Sequence, residues 1–289
     1  MKFVVLIVLC LLVFPVFNLR EEEMNFTFYF SEPEFKEKGD EYEVYISGCR
    51  KHEYNGIVIP VKTLYILLPY KKDVKSVEVN SKEKYVGEYK MERAKPIVAG
   101  GKKIVQLSGE VKDKYEIVGS YWARGYKILV INLIPLSYRG GKVYYNEKMG
   151  LKIRMKEGEE NELYRGIEED KEYVKKFVIN PWAIETYPEK EMEQRYDFLI
   201  ITAKNFVDEF EEYAEYKESK GIKTKIVSID EIIENRQFWG EKEIFNDTQA
   251  KVRNFIRYAY QEWGIKYVLL GGDADINNSN ENIIPARYL

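Results

Sequence analysis

Residues 196–289 read as strand, helix, strand, helix, strand, an order that few folds accommodate. Phe198, Leu199, Ile200 and Ile201 form a continuous apolar run, as in a strand covered on both faces. Phe206, Phe210, Tyr213, Ala214 and Lys217 follow at helical spacing, and Gly221 stands where a helix-ending glycine belongs. Residues 222–229 alternate and are rich in β-branched side chains. Asn246 with Gln249 three positions on makes a capping-box pattern. Val252, Phe255, Ile256, Ala259 and Trp263 then give a second amphipathic helix, closed by Gly264. Residues 267–270 are a third apolar strand, ending in Gly271, Gly272 and Asp273. Crossovers of this length imply parallel strands joined in the right-handed sense. In such sheets the chemistry lies just past the carboxyl ends of the strands. The expected site is therefore near the last residues given.

The preceding region has a β pattern. Short strands are expected at 41–47, 63–68, 103–107, 126–134, 142–145 and 151–155. Gly48, Pro60, Pro69, Gly100, Gly101, Gly125, Pro135, Gly140 and Gly141 read as turn signals. The two Gly-Gly pairs suit tight hairpins or bulged loops. The expected fold is α+β overall: an all-β, sandwich-like region, then a partial α/β unit with a parallel βαβαβ sheet. Residues 157–176 are charged and poor in aliphatics, which suggests a linker with room for a short helix. Residues 178–188, with Pro181-Trp182 and Tyr187-Pro188, read as an extended connector docked on a neighbour. The expected organisation is a signal peptide at 1–19, a β-rich region at 24–156, a connector at 157–195 and the α/β unit at 196–289.

Composition narrows the classes of function. The hydrophobic content of 45% is ample for buried cores, and the 32% charged residues suit surface ion pairs. A formal charge of −3 leaves no basic footprint, so nucleic acid is not an expected partner. Met1 and Lys2 precede about fifteen apolar residues, a secretory-signal pattern. That run falls short of the ~20 residues of a membrane-spanning helix. Two readings stand, a cleaved signal and an uncleaved anchor; both place the protein outside the cell or at its surface. The two cysteines are Cys10 and Cys49, so loss of the signal would leave one thiol and no internal disulfide.

Gly271, Gly272, Asp273, Ala274 and Asp275 form the sharpest local motif. Asp273 and Asp275, two residues apart, could ligate calcium or magnesium through oxygen. Asp273 could equally cap its own loop by accepting from backbone amides. Cys49 and His52 are the chain's one Cys-x-x-His pair, and they lie in the β region. A zinc site would need two more ligands, and a nucleophile–base pair would need hydrogen-bond reach; the pair reads as incidental. Asn25-Phe26-Thr27 and Asn246-Asp247-Thr248 match the glycosylation acceptor pattern. There is no Walker loop, G-x-S-x-G elbow or G-x-G-x-x-G fingerprint.

Several segments of the α/β stretch, taken together, resemble the opening of the gingipain-type cysteine peptidase domain. They are 196–202, Tyr216-Lys217, Lys220-Gly221, 223–227, 252–256, Tyr258 to Tyr260, Trp263-Gly264, 267–270, Gly272-Asp273 and Ile284-Pro285. The β region more loosely resembles the propeptide of that family, through 56–60, Leu68-Pro69, 125–135, Tyr138 and Tyr144-Tyr145. The resemblance implies a caspase-like fold and a secreted peptidase precursor acting on protein or peptide substrates. It also implies contact between prodomain and peptidase domain within one chain. A Cys–His dyad would come from later strands, and no catalytic residue carries over to this sequence. Structural calcium in the family would point to Asp273 and Asp275. The alternative expectation is a non-catalytic secreted or cell-surface adhesion or structural protein.

Overall fold

The computed structural model describes residues 23–94, 98–99, 102–103, 109–190, 192, 194–242, 246–274 and 283–284. The signal expected at 1–19, the Gly100-Gly101 turn, most of the 103–107 strand, Pro285 and Asp275 lie outside these residues.

The chain is α+β, with a large β-rich region followed by alternating helices and strands. The β-rich region comprises β1 (Glu23–Tyr29), β2 (Glu34–Lys38), β3 (Glu41–Tyr45), β4 (Arg50–Tyr54), β5 (Ile57–Leu67), β6 (Lys72–Glu88), β7 (Val98–Ala99), β8 (Lys102–Lys103), β9 (Tyr115–Ala123), β10 (Tyr126–Leu133), β11 (Leu136–Arg139) and β12 (Lys142–Glu157). β6 runs antiparallel along the whole of β12, while β1 and β11 share its other edge. A second sheet has the order β4-β5-β10-β9.

Alternation packs these two sheets face to face. Leu64, Ile66 and Leu68 from the β5 side, Leu129, Ile131 and Leu133 from β10, and Met149, Leu151, Ile153 and Met155 from β12 share one core. Residues two apart on a strand face the same side, so each strand contributes every second side chain. Gly140 and Gly141 both take positive φ between β11 and β12, which makes the tight hairpin their pairing suggests.

Pro60 marks no turn, contrary to expectation; β5 passes straight through it. The reason is its position. β10 borders β5 only from Lys62 onward, so Pro60 lies where β5 is paired on one side, by β4. β6, the longest strand, has no continuous apolar signal because most of its side chains are exposed or half-buried.

The segment after β12 forms α1 (Glu168–Lys175) and a 3-10 turn at Pro181–Thr186. It covers the outer face of the second sheet. Leu67, Tyr126, Ile128 and Val130 meet Tyr164, Val174, Val178, Ala183, Ile184 and Tyr187 there. Asn180 supports this layer by accepting from Leu67 N and donating to Leu67 O, both at 2.8 Å.

The last region contains β13 (Phe198–Thr202), α2 (Val207–Ser219), β14 (Thr224–Ser228), α3 (Ile229–Glu234), α4 (Thr248–Glu262) and β15 (Tyr267–Gly271). Its sheet is parallel, in the order β14-β13-β15. Leu199 and Ile201 face α3 and α4 through Ile232, Val252, Phe255 and Ala259. On α2, Tyr213 and Phe210 reach Phe198 and Gly271. The cap of α4 is Asp247, not Asn246: Asp247 accepts from Ala250 N at 2.8 Å, and Asn246 instead accepts from Gly240 N. The capping box that does form, Ser228 with Glu231, starts the short helix α3, which has no clear apolar period of its own.

Candidate functional site

In an open parallel sheet the crevice lies where connections leave adjacent strands towards opposite faces. Here that point is the carboxyl edge of β13, where Thr202 pairs with Gly271 of β15. Thr202 is buried and its Oγ1 donates to the Gly271 carbonyl at 2.7 Å, joining the two strand ends. Both glycines of the motif are sterically required. A Cβ on Gly271 would come within 2.4 Å of the Phe210 ring, and one on Gly272 (φ +151°) within 2.3 Å of Ile283. The backbone then folds over itself: Ile284 N donates to the Asp273 carbonyl at 3.0 Å, and Ile283 N to the Asp273 carboxylate at 3.4 Å.

Asp273 is exposed and occupied with its own loop. Calcium needs six to eight oxygens, and among the described residues no group of three or more His, Cys, Asp or Glu is placed to hold a metal. With Asp275 undescribed, the observed geometry is that of a capped turn. At β14, Ser228 N and Oγ both donate to one carboxylate oxygen of Glu231, at 2.7 and 2.8 Å. The edge therefore offers hydroxyls and carboxylates among its described residues, with no thiol or imidazole.

Cys49 and His52 are not brought together. Cys49 packs against the inner core, whereas His52 lies on the opposite face, with Nε2 3.0 Å from Glu116 Oε2. Glu116 also accepts from Asn132, and Asn132 accepts from Thr63. These contacts tie β4, β5, β10 and β9 together across the sheet. Burial pushes the Cys49 thiol up to about 11, despite the nearby Lys62 charge. Alkylation of native Cys49 at pH 8 is expected to be at least about tenfold slower than in urea-unfolded chain, since the thiolate is the reactive form. Equal rates, read by mass spectrometry with iodoacetamide, would contradict this burial.

Asp197 sits at the entry to β13. Burial opposes its charge, but Lys266 Nζ at 2.9 Å and Lys223 N at 3.1 Å win, and the carboxyl lies below its ordinary 3.8. Hydrogen bonds from Ser228, led by its backbone N–H, likewise hold Glu231 below its ordinary 4.5. Depressed carboxyls stabilise the fold fully above their unfolded values, and this stabilisation is lost as pH falls through the folded ones. Urea midpoints should be level from pH 6 to 8 and should drop below about pH 4.5. An Asp197→Asn/Glu231→Gln variant should show a shallower drop, and an unchanged slope would count against these two groups.

The gingipain-like segments and this strand-end geometry coincide in one stretch. Residues 191–288 match the model of peptidase family C25. The gingipain-type resemblance therefore holds over the C25 segment, the stretch that carries the parallel sheet. No curated protein matches the chain by sequence. Among solved structures, the chain is similar to a chain of a complex of the RgpB pro- and mature domains of Porphyromonas gingivalis. That overlap has 12% identity and a TM-score of 0.44, and covers 57% of this chain and 95% of the other. It is also similar to a structure concerned with zymogenic latency of gingipain K from the same organism. There the identity is 18% and the TM-score 0.36, with 47% and 88% of the two chains covered.

Within the C25 segment and its neighbours, the sequence reading missed one cluster. Arg165, Asp170 and Arg124 converge in a buried ion pair, with Arg165 extending to the carbonyl of Ile265. In sequence, Asp170 is one of several acids in a charged run, and nothing distinguishes the buried one.

Proposed function

We propose that this chain is the amino-terminal part of a secreted cysteine endopeptidase precursor of the gingipain type. In this reading residues 1–19 are the signal, 24–156 a prodomain, 157–195 a connector and 196–289 the first part of the peptidase domain. The supporting observation is the C25 match over a parallel sheet whose strand-end turn is built by Gly271 and Gly272. Cysteine-peptidase chemistry needs a thiolate nucleophile and an imidazole for proton transfer. The reading assigns both to residues beyond Leu289, at the ends of further strands. The exposed β15 side chains Tyr267, Val268 and Leu270 are the face on which such strands would pack.

Residues 185–195 are the proposed activation region. Pro188, Glu189, Lys190, Ser-like bends excluded, and Arg195 are exposed and lie outside regular secondary structure, as cleavage by a protease requires. A calcium ion held in part by Asp273 and Asp275 completes the reading; melting should rise by a few degrees in calcium against a chelator, and an unchanged melt removes the ion.

The deciding experiment is to read the coding frame past Leu289 and express the longer product. A Gly-His followed by a later Cys, with peptide hydrolysis abolished by substituting that Cys, is the expected result. A frame that stops at Leu289, or continues without these residues, overturns the assignment.

A further inference from the structure

The buried ion cluster joins three parts of the molecule. Asp170 on α1 is fully buried. Arg165 grips it with two hydrogen bonds, Nε to Oδ2 and Nη2 to Oδ1, both at 2.8 Å. Arg124 adds a third, Nη1 to Oδ1 at 2.9 Å. Arg124 stands at the tip of the β9–β10 hairpin with φ +52°, beside Gly125 at φ +88°. A Cβ on Gly125 would come within 2.4 Å of Tyr164 Cα, so the hairpin tip presses directly on the connector backbone.

The fourth contact leaves this layer. Arg165 Nη1 donates to the carbonyl of Ile265, just before β15, at 2.8 Å. The Tyr260 ring of α4 lies over the same guanidinium, 3.9 Å from its centre. One planar fork thus faces a carboxylate on the β-region side and a carbonyl and an aromatic face on the α/β side. A lysine ammonium cannot reproduce that geometry. The surrounding contacts are more exposed: Lys266 and Arg195 with Glu169, and Arg257 with Glu162. Exposed pairs of this kind contribute little each.

We infer that Arg165 is the clasp that couples the β-rich region to the α/β region, so that the three-stranded sheet opens together with the sandwich. Asp170 and Arg124 hold the clasp from one side; the Ile265 carbonyl and Tyr260 receive it on the other. The inference does not depend on the peptidase reading.

Hydrogen exchange read by mass spectrometry on the full chain, across a denaturant series, tests it. In the unaltered protein, residues 196–271 and the β5–β10 sheet should lose protection together. An Arg165→Met/Asp170→Leu double variant removes both buried charges and leaves neither orphaned, so it should still fold. Exchange over 196–271 should then rise by about tenfold or more, the size of an ordinary coupling between sites, with the sandwich unchanged. Tyr260→Leu perturbs the clasp from the α/β side alone, and should give a smaller rise confined to the same stretch. Unchanged exchange over 196–271 in Tyr260→Leu and in the double variant would overturn the clasp. So would equal loosening of sandwich and α/β region, which would make the cluster a local support of the connector. If the double variant does not fold, the Tyr260→Leu profile decides between the same outcomes.

Discussion

Asp170→Ala is expected to destabilise the chain by about 3–5 kcal/mol, the usual effect of removing one partner from a buried ion pair. Arg165 is 2% exposed and would lose both hydrogen bonds to the carboxylate. Its charge would stay buried with only a carbonyl and a ring as partners, and Arg124 would lose its contact as well. At roughly 2–4 °C per kcal/mol for a chain of this size, the melting temperature should fall by on the order of 10 °C. The double variant without either charge should lose much less, because the cost lies in the orphaned guanidinium rather than in the missing attraction. Melting followed by circular dichroism separates the two. A loss below about 1 kcal/mol for Asp170→Ala would mean that water reaches the site.

Leu129→Ala should cost about 2–5 kcal/mol, as expected for a buried leucine replaced in a tightly packed interior. Leu129 is 1% exposed and stands between Leu64 and Ile66 of the neighbouring strand and the inner face of β12. Neither sheet can move inward to fill the space without breaking its own hydrogen-bonded register. Leu270→Ala is the matching control. Leu270 is 45% exposed on β15, so its loss should change stability by no more than about 0.5 kcal/mol. Urea unfolding of the two variants reads both values. A large loss at Leu270 would show that the β15 edge is covered in solution.

The parallel sheet was legible because both of its signals are local. Phe198 to Ile201 is apolar without interruption since α2 covers one face and α3 with α4 the other. Gly221 and Gly264 close their helices at positive φ, as their places after the apolar periods indicate. The Gly271-Gly272 turn was also visible, although its reasons, the Phe210 ring and Ile283, are contacts made across the fold. Pro60 misled because a proline is compatible with a strand wherever one edge is unpaired, and pairing is not a local property. Asn246 misled by one position because Asn and Asp cap equally well, and the neighbour with the better geometry took the role.

The connector shows the limit most clearly. Its run of acids and lysines looks solvated throughout, yet Asp170 is buried and Tyr164, Val174 and Ile184 close the outer face of a sheet. Charge in a sequence says nothing of which carboxylate will find two guanidiniums waiting for it.

By itself the sequence determined the class of fold, the direction of the parallel sheet and the turn at its carboxyl edge. These follow from apolar periodicity and glycine, which act within a few residues. Only the tertiary structure decided that Cys49 and His52 face opposite sides of a sheet and that Asp273 closes its own loop. It also decided that Arg165 reaches from α1 to Ile265. Those outcomes depend on side chains brought together from 100 residues apart, as Arg165 and Ile265 are, and long-range contact is settled by packing rather than by local pattern.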